Sequence, residues 1–569
     1  MERKLQKFQN ALHKVAQQAL STEDVQQLDL DTDDDDEVGP LAVGQACTVT
    51  LPENDLPDAP PSSSNPASHC EVVMDLESGP SAIPGFFISQ TPPGQPRRSR
   101  GDMIDRGIVH LEDARRYFEY YRDRLDHFPY RILGNHSEST LEDVRAASPF
   151  LMAAACTVGA LHITGSEFDA LYNDFVTLSA KYNFSKRNTL DDVRALCIGA
   201  FWLGDISWML VGTAVRIATE IGLHKSMGKA LQGDKSHYFR ARLYLLVYAC
   251  DHHFSVAFGR PPLTRECAMI KSARTFLECE HAIEDDARLV SQVLRWSLCS
   301  NIFDAFGVDV DKPLADTEVP QLRRFSIALD TLRAEWAERF KPNAHVGNYP
   351  RKGVALQYHF AKLYLCSHAF RGVGAEGMAS RAPDIAMELT EFANSAILSA
   401  LAILKNVVAD PETQSHLNGL PIYFDTMIGF AVVFLVKVST KFSATVRPNT
   451  EEIKELLTSL VPILHKVASS MHQQHLLVSI SNNIEKLVQR FCADNAGPAP
   501  SSPPRVRSTE HQFSQQASPY LQVTHTQSVW DTAWDAHSGI DPLFMGEYDF
   551  LMNQNMDFDL DDGSGMKFV

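Results

Sequence analysis

Between Ile104 and Asp494 apolar residues recur at spacings of three and four with little interruption, and this pattern constrains the chain more than any other feature. A period of 3.6 gathers such side chains on one face of an α-helix, whereas a half-buried strand needs strict alternation. No run of alternating residues, and no Asn-Gly turn joining two such runs, breaks the series. The predicted fold class is therefore all-α. A large helical array should occupy residues 105–495, as one domain or two closely packed halves.

Local signals fix several elements. Thr189 and Asp192 can satisfy the orphan amides of a first helical turn. The stripe Val193, Leu196, Cys197 and Ala200 follows, until Gly204 stops the helix. A second helix carries Leu210, Val211, Ala214, Ile217, Ala218 and Ile221, with Gly222 where a left-handed cap would fall. A third runs through Leu243, Leu246, Val247, Cys250 and Phe254 to Gly259, and Pro261-Pro262 forbid its continuation. Further periodic segments are Leu356 to Phe370, Ala386 to Val408, Pro421 to Val438, Glu451 to Met471 and Leu476 to Phe491.

The flanks differ in kind. Within residues 1–25, Leu5, Phe8, Leu12, Val15 and Ala19 make a short a/d seam. It fits a dimerising coil, or equally an amphipathic helix lying on its own domain. Residues 26–104 read as a disordered linker: six acids fall between Asp31 and Glu37, and eleven prolines between Pro40 and Pro96. Such composition cannot bury enough apolar surface to offset its ordering entropy. Arg97, Arg98 and Arg100 close the linker as a solvated patch or an import signal.

Residues 496–569 form the second flank. Between Arg507 and Lys567 there is no Lys or Arg, and acids are interleaved with rings, among them Trp530, Trp534, Phe544, Phe550 and Phe558. Mutual repulsion of the carboxylates keeps such a segment extended and its rings available. This is the acidic-hydrophobic pattern of a disordered activation tail that folds into a groove on a coactivator. A merely solubilising tail would have little use for two tryptophans.

Chemistry is harder to find. The net charge of −19 repels nucleic acid as a whole, so contact with DNA would need a local basic module. The ten cysteines are scattered, with no close Cys-x-x-Cys pair to surround a zinc ion, and read as small buried hydrophobes in a reducing compartment. There is no phosphate-binding Gly-Lys-Ser/Thr loop and no Gly-x-Ser-x-Gly elbow. Asp191-Asp192 suit a helix start. Asp33 to Asp36 lie in the linker, and His252-His253 and His472/His475 lack a third ligand. The expectation is no catalytic, cofactor or metal site. Met1-Glu2-Arg3-Lys4 is not followed by a signal-like apolar run. The longest apolar stretch, Met427 to Val436, is about half of what a membrane helix needs. A cytosolic or nuclear protein is expected, with no membrane partner.

One set of residues is recognisable. Ser207-Trp208, Gly212-Thr213-Ala214-Val215-Arg216-Ile217-Ala218 and Glu220-Ile221-Gly222-Leu223-His224 precede Arg240-Ala241-Arg242-Leu243-Tyr244, Asp251 and Phe258-Gly259-Arg260-Pro261-Pro262. In order and spacing this resembles the middle homology region of fungal zinc-cluster transcription factors, over about residues 110–270 and by layout to about 495. The residues themselves read as architecture. Gly212 and Ala214 would let helices approach closely. Arg240 and Asp251, three turns apart on one face, could anchor neighbours by ion pairs, for instance with Arg216 or Arg260. Gly222, His224, Gly259 and Pro261 complete the motif.

The resemblance implies a regulator of RNA polymerase II genes in the nucleus, for a secondary-metabolite or nutrient-use pathway, with coactivators bound through the tail and a homo- or heterodimer formed through the N-terminal coil. It also implies a six-cysteine, two-zinc cluster that reads DNA triplets, and these residues do not contain one. DNA binding is thus expected only with a cluster encoded upstream of Met1 or carried by a partner. The first is favoured because the seam from Leu5 begins without a cap. The alternative is a coregulator or metabolite-sensing module without DNA binding of its own.

Overall fold

The computed structural model describes residues 101–494, except 308–311 and 372–380. The coil, the linker up to residue 100, Cys47, Cys70, the arginines at 97, 98 and 100, and tail residues Trp530, Trp534, Phe544, Phe550 and Phe558 lie outside the described residues. The last linker positions, 101–104, belong to the fold instead, with Met103 buried in its core.

No strand occurs among the described residues; one isolated bridge joins Asn343 and Gly347. The principal helices, in chain order, are α1 (Leu111–Tyr120), α2 (Leu141–Ala147), α3 (Pro149–His162), α4 (Phe168–Asn183), α5 (Leu190–Trp202), α6 (Ser207–Glu220) and α7 (Lys235–Ser255). They continue as α8 (Glu284–Phe306), α9 (Val319–Ala337), α10 (Tyr349–Ser367), α11 (Pro383–Ala409), α12 (Ile422–Thr440), α13 (Thr450–Ala468) and α14 (Leu476–Asp494). Consecutive helices pack against each other in several places: α5 on α6, α9 on α10, α13 on α14. Pairings α7–α8, α8–α10, α10–α11, α11–α12 and α12–α14 tie the array together, and one hydrophobic core runs from Met103 to Phe491.

The termini follow the local chemistry. Thr189 and Asp192 form a reciprocal capping box on α5, and Thr140 and Asp143 do the same on α2. Asp234 caps α7, accepting from the amides of Ser236 and His237. One expectation needs correction. The stripe from Val193 to Ala200 is not one face of α5, because Arg194, Ala195, Ile198 and Gly199 are buried as well. Helices α3 and α12 are likewise enclosed on all sides.

Enclosure on this scale needs close contacts. A Cβ on Gly199 would stand 2.6 Å from the Phe175 ring and 2.8 Å from Leu210, and one on Gly159 would collide with the Tyr117 carbonyl. The stretch Met427 to Val436 sits inside a longer helix than its ten residues suggest. By length and composition α11 and α12 could each cross a bilayer. In the fold the apolar window of α12 is fully buried within protein, as for a core helix.

Candidate functional site

The motif residues lie on α6, α7 and the loops that follow them. Helix α5 ends at Trp202, and the Ser207 hydroxyl donates to the Ala200 and Leu203 carbonyls at 2.8 Å each, fixing the turn into α6. Ala214, with Leu210, Val211, Ile217 and Ala218, faces the core. Gly222 then takes φ +74°, the left-handed conformation that ends the helix at little cost only for glycine. The Arg240 guanidinium reaches back from α7, donating to the Ile221 carbonyl at 2.5 Å and to Ser226 Oγ at 3.3 Å. A cation is thereby held at the negative end of α6. His224 is half-buried with its ring 5.9 Å from Tyr244, and burial lowers its pKa.

Helix α7 ends through a short 3₁₀ turn at Gly259, φ +64°. Asp251, fully buried, accepts from the Thr264 amide at 2.7 Å and the Thr264 hydroxyl at 2.6 Å. It thus ties the chain emerging from Pro261-Pro262 back to its own helix. Burial raises the Asp251 pKa, and the Thr264 hydrogen bonds oppose that shift. For Asp251 the expected ion pair is therefore corrected. Asp251 engages a threonine and its amide, and Arg216 is exposed, donating to Asn183 and Thr213 at 3.4 Å. The close approach expected at Gly212 is also absent. That residue is half-buried, and a Cβ there would make only ordinary contact with Leu263, at 3.5 Å. Arg260 lies over the Trp208 ring at 4.9 Å and the Phe258 ring at 5.7 Å, a cation–π arrangement. Pro261 is exposed.

Sequence reasoning missed the strongest polar tie. Arg242, beside Arg240 in the motif, is buried and pairs with Asp286 of α8 at 2.6 Å. Its other nitrogens donate to the carbonyls of Tyr130 and Arg131, two consecutive residues held at φ +58° and +54°. Side chains rarely adopt that region unless their surroundings impose it. Asp286 also accepts from the Tyr238 hydroxyl at 2.7 Å and the Ile283 amide at 2.9 Å. The available signal was a charged residue in an unbroken apolar helix, Ala241 to Ala249, which leaves no solvated side for it. Buried Arg194 pairs with half-buried Asp191 (2.6 Å), and Arg288–Asp285 (2.7 Å) is a further buried pair. Asp191 thus does more than start a helix.

Burial shifts several other interior groups toward their uncharged forms. Burial pushes Asp126 up to about 7 and Asp425 well above the carboxylate range. It holds His162 and His252 down at about 4. His253 stacks on Tyr423 at 3.9 Å and His252 holds the Tyr248 carbonyl at 2.8 Å. Among the described residues no group of three or more His, Cys, Asp or Glu is arranged to hold a metal ion. The eight described cysteines are free, six of them buried.

An all-helical region that commits its buried charges to internal ties is built as a scaffold. Residues 107–489 match the family described as the middle domain of the transcriptional activator of proteases prtT, and the chain belongs to that family. Among similar proteins, the "Transcriptional activator of proteases prtT" of Emericella nidulans is 36% identical over 401 residues, 68% of this chain and 60% of that protein. The "Transcriptional regulatory protein SEF1" of Candida albicans is 25% identical over 264 residues, 43% of this chain and 26% of that protein. The matches thus span less than two thirds of either relative.

Proposed function

We propose that this protein is a non-enzymatic transcription regulator acting in the nucleus on RNA polymerase II genes, with protease genes as its first candidate targets. The observation that carries this reading is the 36% identity to an activator of proteases over 401 residues. In this reading the helical array is the regulatory scaffold, and residues 496–569 are an activation arm whose Trp530, Trp534, Phe544, Phe550 and Phe558 enter a coactivator groove. The N-terminal seam joins two copies, or this chain and a related one. DNA is read by a zinc cluster supplied upstream or by that partner, and the described region itself needs no cofactor.

The test is a fusion of residues 505–569 to an unrelated DNA-binding domain beside a reporter gene. Strong activation, lost when the two tryptophans and three phenylalanines become alanine, is the expected outcome. A silent reporter would count against the arm as an activator. Repression would favour the coregulator alternative.

A further inference from the structure

The motif residues divide into two groups: Ala214, Gly222, Arg240 and Asp251 hold the fold together, whereas Gly212, Arg216, Arg260 and Pro261 line a surface. That surface is unusually apolar. Phe184 at 87% and Met209 at 67% are the two most exposed large hydrophobic side chains among the described residues, and Leu263 is 49% exposed. They are neighbours. Met209 stands one helical turn before Gly212, over which Leu263 lies. Asn183, the residue before Phe184, contacts Thr213 and Arg216 of the same helix. Trp208 and Arg260 close the other side.

The charge of the patch is positive. Arg216 and Arg260 sit within it, and exposed Lys186 and Arg187 follow Phe184. Nearby Asp205 accepts from the Tyr172 hydroxyl and Glu266 from Tyr248 and Ser297, while exposed Glu220, one turn beyond Arg216, offsets one of these four cations. Rings and methyl groups interleaved with guanidinium groups complement a segment of rings interleaved with carboxylates. The chain carries such a segment itself, without one Lys or Arg between Arg507 and Lys567.

The reach is sufficient. Leu476, at the start of α14, lies 3.8 Å from a Cβ placed on Gly204, four residues before Trp208. Helix α14 has 19 residues, so Asp494 is about 28 Å further along its axis. A coil with the 36 residues that separate Asp494 from Trp530 spans about 33 Å root-mean-square. We infer that the outward face of α6 and the Gly259-Arg260-Pro261 loop form a docking surface for this chain's own arm, residues 524–562. The rings of the arm seat on Met209, Leu263 and Phe184, and its carboxylates pair with Arg216 and Arg260. The inference uses the composition of the arm and does not depend on its activating power.

Photo-crosslinking in the full chain tests it. Met209→p-benzoylphenylalanine should crosslink to peptides within 524–562 at least tenfold more than the same substitution at Leu398, an equally exposed site on α11. The yield should not change over a tenfold range of protein concentration. It should fall several-fold with Arg216→Glu, an exposed position where folding is not at stake. Equal yields at both sites, no crosslink to the arm, or crosslinks only between two copies would overturn the inference. A silent reporter fusion alongside strong crosslinking would remove the activation reading and leave the docking intact. The reverse pair of results would remove only the docking.

Discussion

Helix α6 turns Met209 and Arg216 to solvent, whereas its neighbour α7 is buried at every residue from Ala241 to Ser255. The two carry one family motif and pack against each other, yet the charges on them meet different conditions. On α7 a guanidinium must find a partner inside the fold, and a carboxylate must find one or lose its charge. On α6 an arginine costs nothing to leave in water, and its presence is open to selection for binding. A shared motif therefore mixes two kinds of residue, and burial separates them.

The largest test of the buried side is acid. Six histidines are buried: His127, His162 and His252 are held at about 4, His368 at about 3, and His253 and His475 well below their ordinary value of 6.5, all chiefly by desolvation. Their depressed values favour the fold above pH 6.5, and that contribution is lost as the pH falls towards 4. Buried Asp126, Asp192, Asp251 and Asp425 have raised values and act with the opposite sign, favouring the fold at low pH. The histidines outnumber them, and each group that takes up a proton only in the unfolded chain is worth about 1.4 kcal/mol per pH unit. Native domains have only about 5–15 kcal/mol to lose, so far-UV circular dichroism should record unfolding between pH 6 and 4. A domain still fully helical at pH 4 would break the contrast.

Next in size is the Arg242–Asp286 pair. Arg242→Met leaves a buried carboxylate without its cation and frees the carbonyls of two residues in left-handed conformation, so a loss of about 3–5 kcal/mol is expected in urea unfolding. Adding Asp286→Asn should recover part of that loss, because the uncompensated charge is then gone. A loss below about 1 kcal/mol for the single variant would mean that solvent reaches this site.

These two tests concern what the sequence concealed. Helices with one polar side were legible: the spacing placed segments at Glu451 to Met471 and Leu476 to Phe491, close to the observed α13 and α14. The stops at Gly222 and Gly259 were legible too, since only a left-handed cap explains a glycine there. Helices α3 and α8 offered no such stripe. Residues Phe150 to His162 of α3 are buried all round, and α8 encloses Arg288, Gln292 and Arg295 along with its apolar residues. Partners were least legible. Arg242 and Asp286 are 44 positions apart, and nothing local to either residue specifies the other. The pairing of Asp251 with Thr264, instead of an arginine, depends on a loop path that periodicity cannot supply. The exposure of the motif's surface half is set by neighbouring helices, which local spacing does not display.

The smallest expected effect is on the outer face. Arg216→Ala and Met209→Ser remove side chains that hold no buried group, and each should change unfolding free energy by no more than about 0.5 kcal/mol. Arg216 gives up only two long contacts, at 3.4 Å, to Asn183 and Thr213. Met209 leaves no cavity, because it is 67% exposed. If either substitution cost more than about 1.5 kcal/mol, the face would be part of the scaffold and the distinction from α7 would collapse. If both are silent in urea while Met209→Ser also impairs regulated transcription in vivo, the side chain serves a contact that the folded array does not itself make.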